Sequence, residues 1–210
     1  MNNSVNTSVS TCERILAAAE AEFFSKGFAG ARTTSIAEAA GVTHAMLHYY
    51  YRTKKHLFEQ VIASKAALMK ELMLSSLGDT SVPLFERLTA CISRHLDFLA
   101  ANPTLPGFMA KEMLASDETR PAAMAAISAQ LPEVIASLQR NIDEYASRGE
   151  CRKVDARTIV LDILSLNAMP FLLPALVDII SGDGLSGDFE RFIARRKQEN
   201  IETILRKLRP

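Results

Sequence analysis

The spacing of three residues, Ala37, Gly41 and Leu47, constrains the fold of this chain more than any other feature of its sequence. The small side chain of Ala37 allows two helices to approach closely, and Gly41 can adopt the positive φ that a tight turn requires. Leu47 would then anchor a second helix in the core, while Val42 fills the corner between the helices. This spacing predicts a helix-turn-helix whose short second helix is capped by Thr43 and ends near residue 50.

Apolar residues recur at helical spacing along the whole chain, and no segment shows a convincing strand pattern, so the sequence predicts an all-α fold. Short helices end near residue 58, where a long fourth helix capped by Thr53 leads into longer apolar helices. We therefore expect a three-helix N-terminal domain at 1–58, with residues 1–10 disordered, and a larger helical domain at 59–210. The later helices are expected at about 83–101, 104–115, 120–148, 155–180 and 188–208.

Capping residues, glycines and prolines indicate where the helices end. Thr11 can cap the first helix, which Gly27 would end. Thr34 or Ser35 can cap the second, since Ser35 and Glu38 have the spacing of a capping box. Prolines inside apolar patterns should kink or split helices: Pro132, Pro170 and Pro174.

Basic residues are concentrated around the predicted helix-turn-helix. The whole chain has 24 basic and 24 acidic residues, so its net charge gives no attraction to nucleic acid. Between residues 32 and 56, however, Glu38 is the single acidic residue. The basic residues of this segment are Arg32, Arg52, Lys54 and Lys55. Any attraction to phosphate is therefore local.

The second helix of a helix-turn-helix enters the major groove of DNA with its N-terminal residues facing the base edges. The residues expected to meet the bases are His44, Ala45 and Met46. The hydroxyl groups and cations expected to bind phosphates are those of Thr34, Thr43, Tyr49 and Lys54. Helix-turn-helix spacing also occurs in proteins that do not bind DNA, so the spacing alone leaves both interpretations open.

The residues expected to meet the bases are called the reading positions below. Three consecutive tyrosines, Tyr49 to Tyr51, follow them in the same helix. Tyr50 lies three residues after Leu47, so we expect it to turn inward. Tyr49 would then be free to offer its hydroxyl to a phosphate, and Tyr51 would serve as the pivot into the fourth helix.

From Ile15 to Phe58 the chain resembles the TetR family of transcriptional regulators. Three segments with the family's spacing carry the resemblance: ILAAAEAEFFSKGF, TTSIAEAAGVT and LHYYYRTKKHLF. The resemblance implies a homodimer, DNA binding by the first three helices, and a divergent helical C-terminal domain that binds an inducer. It assigns the same base and phosphate contacts as above.

Two residues depart from the family pattern. His48 stands where a tyrosine is usual, and its expected role is a phosphate contact. Met46 stands where a small polar residue is common, which suggests an apolar contact with a thymine methyl group instead of a hydrogen bond.

Aromatic and thioether side chains of the larger domain suggest an adaptable apolar pocket. They are Phe98, Phe108, Met109, Met113 and Met124. The alternative for each is ordinary core. Polar groups on the helices of this domain, including His95, Glu112 and Asn167, are expected to point mostly to solvent, with one or two orienting a ligand. The final helix, paired with the apolar helices at 155–177, is expected to form a four-helix dimer interface.

Other chemistry has little support in the sequence. His44 and His48 have the spacing of metal ligands on a helix, but no third ligand lies nearby in the sequence. Asp183, Asp188 and Glu190 lack the alternating pattern of a calcium loop. We find no nucleophile elbow, phosphate loop or dinucleotide motif, and so expect no metal, no cofactor and no catalysis.

The remaining features favour a cytoplasmic protein outside the membrane. The first ten residues lack the features of a signal peptide, and prolines and polar residues interrupt the apolar stretch 159–180. We interpret the sequence as a ligand-responsive DNA-binding transcriptional regulator. It would be a repressor released from a near-palindromic double-stranded DNA operator by a largely apolar small molecule. The alternatives are a helical enzyme or a protein-binding adaptor that carries a relict helix-turn-helix.

Overall fold

The computed structural model describes residues 10–115, 117–182 and 187–210, and every regular element within these ranges is a helix. Residues 1–9, predicted to be disordered, and Asp183 lie outside the described residues. Ser10, also predicted to be disordered, is ordered and caps the first helix. The helices are α1 Thr11–Gly30, α2 Thr33–Ala39, α3 His44–Tyr51, α4 Lys54–Leu77, α5 Leu84–Ala101, α6 Leu105–Ala115, α7 Arg120–Ser128, α8 Leu131–Ser147, α9 Ala156–Leu172, α10 Pro174–Ser181 and α11 Phe189–Arg206. The all-α prediction is confirmed.

Helices α2 and α3 form the predicted helix-turn-helix. Ala37 and Leu47 are buried, and Gly41 has a φ of +65° between them. The Val42 N–H donates to the Ala37 carbonyl over 3.0 Å, which closes the turn. Because Leu47 points into the core, the opposite face of α3 points out of the protein.

The caps predicted for α3 and α4 are confirmed. The Thr43 hydroxyl accepts a hydrogen bond from the Met46 N–H at 3.2 Å, and the Thr53 hydroxyl accepts one from the His56 N–H at 3.0 Å. Each bond satisfies a backbone donor that has no partner within its own helix.

The caps predicted for α1 and α2 are wrong. Ser10 caps α1 with a complete capping box, so Thr11 is already the first helical residue. Helix α2 begins after Arg32 without a side-chain cap, which places both Thr34 and Ser35 inside the helix. Serines and threonines are frequent in both segments, and the tertiary position of each helix decides which residue stands at its end.

The three tyrosines differ from the prediction in which side chain is buried and which is exposed. Tyr51 is buried, and its hydroxyl lies 3.5 Å from the Cys12 carbonyl oxygen, whereas Tyr50 is exposed. The inward position predicted for Tyr50 is therefore wrong. The i+4 position after Leu47, not the i+3 position, continues the buried face of α3.

Two of the three predicted prolines, Pro132 and Pro174, divide the larger domain into separate helices. The segment 120–148 is split into α7 and α8 just before Pro132, and Pro174 begins α10. Helices α9 and α10 meet at an angle of 89°. Pro170 lies inside α9 without ending it.

Helix α4 begins in the N-terminal domain and continues through the larger one. One apolar cluster includes Phe23 and Phe58 from the first part of the chain and Leu96 and Phe108 from the second. A second cluster lies wholly in the larger domain. The boundary at residue 58 stays a prediction, because core packing is continuous across it.

By length and composition, one stretch, Arg120–Ser147, could cross a membrane, and the bent pair α9–α10 passes the same test jointly. Both stretches also contribute to the second apolar cluster, through Val134 and Leu138 of α8 and Ile159 and Ile163 of α9. These side chains of α8 and α9 pack with other helices of the larger domain.

Candidate nucleic-acid interface and adjoining cavity

The first turn of α3 presents its side chains outward. His44, Ala45 and Met46 are exposed, directly after the Thr43 cap. Met46 has 40% of its surface accessible, whereas Leu47 beside it has 1%. The predicted reading positions therefore have the exposure that contact with base edges requires, and their contact with DNA stays a prediction.

The two histidines of α3 have defined hydrogen bonds. Their rings meet edge to face with centroids 4.5 Å apart. His44 Nε2 lies 3.0 Å from the Thr33 hydroxyl. His48 Nδ1 lies 2.9 Å from the carbonyl oxygen of Arg52, which can only accept, so Nδ1 carries the proton. Nε2 is the nitrogen that His48 has left for a partner outside the protein.

The bond from His48 also supports the end of α3. Arg52 has a φ of +53°, the only positive φ among the described non-glycine residues. Such a backbone is strained and needs local support. This structural role of His48 was not predicted from the sequence, where the i+4 spacing between His48 and Arg52 is the available signal.

The predicted phosphate contacts surround the exposed face of α3. Thr34 and Thr43 are exposed, and Tyr49 has 82% of its surface accessible. Lys54 is half-buried: its Nζ lies 3.4 Å from the Ala29 carbonyl oxygen and 4.7 Å from the centroid of the Phe28 ring. Lys54 is thus positioned by the end of α1.

The basic residues of this surface form no ion pairs within the described part of the chain, although the Arg32 backbone N–H donates to Glu22 Oε1 at 3.0 Å. None of the ion pairs in that part involves Arg32, Arg52, Lys54 or Lys55. Most other cations, such as Lys26 and Lys207, are paired with carboxylates. The positive charge at this end is therefore available to an external anion such as a phosphate.

No group of three or more histidine, cysteine or acidic residues in the described ranges could hold a metal ion. The rings of His44 and His48 lie side by side, as a metal site would require. No third ligand joins them within the described ranges. Zinc sites in proteins use three or four protein ligands, so the described arrangement does not favour one.

An apolar cavity of about 480 Å³ lies in the larger domain, next to the N-terminal helices. It is bounded by α4, α5, α6, α7 and α9. Three of the predicted pocket residues line it: Phe98, Met109 and Met113. Its size is within the range of sites for small organic ligands.

The other two predicted pocket residues lie elsewhere. Phe108 faces the N-terminal domain, with its ring centroid 4.8 Å from that of Phe24 and 5.9 Å from that of Phe58. Met124 is exposed on α7, and Ile127 is the α7 residue that reaches the cavity. A helix turns about 100° per residue, so Phe108 points away from the cavity that Met109, its neighbour in sequence, lines.

Polar residues expected to face solvent are instead buried. His95, Asn167 and Glu112 are at most 3% exposed, and His95 lines the cavity. Burial disfavours the charged imidazolium and lowers the pKa of His95 to about 4. His95 is therefore neutral at physiological pH. The sequence feature that could have predicted this burial is the position of His95 on the buried face of α5, three residues after Ile92.

Comparison with known proteins agrees with this arrangement. Residues 15–61 match the tetR family of bacterial regulatory proteins. The HTH-type transcriptional repressor SCO4008 of Streptomyces coelicolor is 37% identical to this chain over 95 residues, which are 45% of each protein. The chain thus matches about half the length of this curated relative.

Solved structures share the fold over nearly the whole chain. A candidate TetR-family regulator from Mesorhizobium loti has a TM-score of 0.69 at 18% identity, covering 95% of this chain and 97% of its own. The regulator FadR from Bacillus subtilis, solved with stearoyl-CoA, has a TM-score of 0.68 at 17% identity, covering 92% and 97%. Residues 15–61, which hold the helix-turn-helix, thus match the tetR family of bacterial regulatory proteins, and the whole chain shares the fold of these solved structures.

Proposed function

We propose that this protein is a homodimeric transcriptional repressor that binds a near-palindromic operator and is released by a small molecule. The observation that carries the proposal is the outward first turn of α3 beside unpaired basic residues, on a helix-turn-helix. The relative from Streptomyces coelicolor is named a transcriptional repressor, which supports repression. A cytoplasmic location follows from the proposed function.

The proposed dimer uses α9 and α10. These two helices and the residue between them carry six of the twelve large apolar side chains that are exposed among the described residues. Exposed apolar surface of this kind marks an interaction site. The exposed residues are Leu161, Leu172, Leu173, Leu176, Ile179 and Ile180. A groove of about 480 Å³ between α9, α10 and α11 lies beside them. A two-fold pairing would hide this face and hold two reading helices over successive major grooves.

The end of α11 and the residues just after it, which we expected at the interface, are largely internal. Ile204, Leu205 and Leu208 are buried in the protomer against α5, α8 and α9. The partner-facing residues of the proposed interface are therefore those of α9 and α10. Arg195 and Glu199 of α11, which line the groove, would form its polar edge.

Helix α6 connects the cavity with the N-terminal domain, which holds the helix-turn-helix and is called the reading domain below. Met109 and Met113 face the cavity, while Phe108 packs against the aromatic residues of α1 and α4. Glu112, which is buried, accepts a hydrogen bond from the Phe28 N–H at 3.0 Å and one from the Thr119 hydroxyl at 2.6 Å. A ligand that displaces α6 would therefore move the end of α1.

The backbone at this junction is adapted to the contact. Gly27 has a φ of +71° and breaks α1 before Phe28. A side chain at Gly27 would lie 3.0 Å from Lys111 Nζ and 3.2 Å from Glu112 Oε1. The glycine thus permits both the turn and the close approach of α6. This close contact supports coupling between ligand binding and the position of the reading helix.

The effector is proposed to be largely apolar, because aliphatic, aromatic and thioether side chains dominate the cavity lining. The Bacillus subtilis FadR structure contains stearoyl-CoA, a ligand with a long apolar chain, which supports an apolar effector for this fold. The ligand can shift the DNA affinity only by the difference in its own affinity for the two arrangements of the protein.

Selection of genomic DNA fragments by the purified full-length protein tests the proposal. Enriched fragments should share two inverted half-sites separated by one helical turn, about 10 base pairs, or a multiple of it. Binding should weaken steeply with salt, as expected for phosphate contacts. Salt-insensitive binding without an enriched sequence would instead favour the adaptor alternative. Turnover of a cavity ligand would favour the enzyme.

Lys54→Ala should weaken binding to all DNA sequences alike, because a lysine on a phosphate carries no base information. The slope of log K against log salt should become shallower by about one unit per lost contact, or about two per dimer. Binding titrations at several salt concentrations measure it. Lys153→Ala, on the loop before α9, is the matched control and should leave the slope unchanged. A change of sequence preference with the parental slope would contradict this role.

Met46→Thr should change discrimination at one base pair of each half-site by about 1–3 kcal/mol, since an apolar contact is replaced by a hydrogen-bonding one. Nonspecific affinity should change little. A binding-site selection with both proteins measures the preference. Met124→Thr, an equally exposed methionine on α7, is the control. The same operator preference in parent and Met46→Thr would remove Met46 from the reading surface.

Operator affinity should rise as the pH falls from about 8 to about 6, through His48. Its Nδ1–H is committed to the Arg52 carbonyl, so a hydrogen bond to phosphate needs a proton on Nε2. Binding then takes up a proton. The operator affinity constant can therefore change by at most about tenfold per pH unit for the reading domain of each protomer, which we call a reading head.

Operator titrations across this pH range at constant salt, with the parent, His48→Gln and His44→Gln, separate the two histidines. Loss of the pH dependence in His48→Gln alone supports the assignment. An equal slope in the parent and His48→Gln would limit His48 to its structural bond with Arg52.

A further inference from the structure

A chain of hydrogen bonds, partly buried at Arg196 and buried beyond it, runs from α11 through α9 to α5 and ends at the cavity. Arg196 donates to Asn200 Oδ1 at 2.9 Å, and Asn200 Nδ2 donates to Asn167 Oδ1 at 2.8 Å. Asn167 Nδ2 then lies 3.0 Å from both the Ile92 carbonyl oxygen and His95 Nδ1. Both asparagines are at most 1% exposed, so their bonds are shielded from water.

The direction of each bond follows from its neighbours. A guanidinium can only donate and a backbone carbonyl can only accept, so the two ends determine which atom of each amide is oxygen. Asn167 Nδ2 must therefore be the amino group, and it donates to His95 Nδ1. The neutral imidazole then carries its proton on Nε2.

The Nε2–H group of His95 has no hydrogen-bond partner among the described residues. Within the described ranges, the only fully buried side-chain nitrogen or oxygen without a hydrogen bond is Arg87 Nε. His95 Nε2 also makes no hydrogen bond within these ranges. Because it is not among the fully buried atoms without a partner, it keeps some accessible surface. His95 lines the cavity, so this surface faces the cavity. The other lining side chain with an ionic group, Lys65, is held at 2.7 Å by Glu20.

We infer that His95 Nε2–H is the specificity-determining donor of the cavity, and that the effector is an apolar molecule carrying a neutral hydrogen-bond acceptor such as a ketone, ester or thioester carbonyl. The inference rests on the proposed effector cavity and gives its ligand class. Apolar side chains favour the body of the ligand, and the single oriented donor selects its acceptor.

A ligand carboxylate fits less well. Burying an anion among apolar side chains costs free energy unless a cation is paired with it. His95 stays neutral at physiological pH because burial holds its pKa near 4, and Lys65 already pairs with Glu20. A neutral carbonyl accepts the same hydrogen bond without that cost.

Three probes of similar shape test this class: 2-acetylnaphthalene, with a carbonyl; 2-ethylnaphthalene, with no acceptor; and 2-naphthoate, with a carboxylate. Calorimetry of the full-length protein without DNA gives each affinity, so the result does not depend on operator binding. The decisive quantity is the ratio of ketone to hydrocarbon affinity. In His95→Phe this ratio should fall by about 2- to 12-fold, the value of one neutral hydrogen bond.

Two further variants make the result specific. His95→Gln keeps a donor toward the cavity and an acceptor for Asn167, so it should restore most of the ratio. Ile127→Val changes the cavity wall without a polar group and should leave the ratio at its parental value. Thermal melting of each variant accompanies the titrations.

Nitrogen-15 NMR of the histidine side chains gives a readout from the parent alone, should His95→Phe fold poorly. The His95 resonances should report the Nε2–H tautomer, and they should shift with the ketone but not with the hydrocarbon. A proton on Nδ1, an unchanged ratio in His95→Phe, or tighter binding of the carboxylate than of the ketone would overturn the inference. Failure of all three probes to bind would overturn the cavity as an effector site, while operator binding would still test the reading surface separately.

Discussion

Ile180→Asp is expected to convert the protein to a monomer and to weaken operator binding by about 10²- to 10⁴-fold. Ile180 has 73% of its surface exposed and lines the groove between α9, α10 and α11, so an aspartate there would be accommodated by the isolated protomer. In the dimer, the same carboxylate would be buried against an apolar partner surface. Without the dimer, binding of one reading head no longer raises the local concentration of the other.

Sedimentation velocity and operator titration on the same preparation measure both effects. Met124→Asp is the matched control, because Met124 is also exposed and apolar but lies on α7. Leu205→Asp provides a contrast: Leu205 is 6% exposed within the protomer, so its substitution should destabilise the fold itself. A stable Ile180→Asp dimer with parental operator affinity would move the interface away from this face.

Acidification from pH 6.5 to pH 4 is expected to lower the free energy of unfolding by about 3 kcal/mol through His95 alone, at 1.36 kcal/mol per unit of pKa difference. The pKa of His95 is lowered from 6.5 to about 4 in the folded protein because burial disfavours the imidazolium. Between these values the unfolded chain binds a proton that the folded chain does not. The stability from neutral His95 is therefore complete above about pH 6.5 and is lost as the pH falls toward 4.

Urea denaturation of the parent and of His95→Gln between pH 7 and pH 5 measures this effect while most carboxylates stay ionised. The parent should lose about 2 kcal/mol more than the variant over this range. The other three histidines, His44, His48 and His56, are exposed and are common to both proteins. Equal losses in the two proteins would mean that His95 gains a proton in the folded state as readily as in the unfolded chain.

The tertiary structure also explains why the sequence did not predict the buried hydrogen-bond network of His95, Asn167 and Asn200. His95, Asn167 and Asn200 are separated by up to 105 positions, and each alone is a polar residue on an apolar helix. Their burial becomes favourable only when α5, α9 and α11 bring the three side chains into hydrogen-bonding distance. No local pattern distinguishes such residues from solvent-facing ones.

The sequence by itself determined the helix-turn-helix, because every requirement of that motif lies within a few residues. Gly41 meets the need for a positive φ, Thr43 caps α3, and Leu47 lies at the spacing that anchors it. These constraints act through backbone geometry and local hydrogen bonds. The exposure of the reading positions then followed from helical periodicity.

Only the tertiary structure decided which faces of the later helices meet one another. Phe108 joins the reading domain while Met109 lines the cavity, and Leu205 is internal while Ile180 is exposed. A helix that is apolar on several sides can satisfy its periodicity in more than one rotation. The rotation that forms is selected by packing against distant helices, because burial of apolar area depends on all of them together.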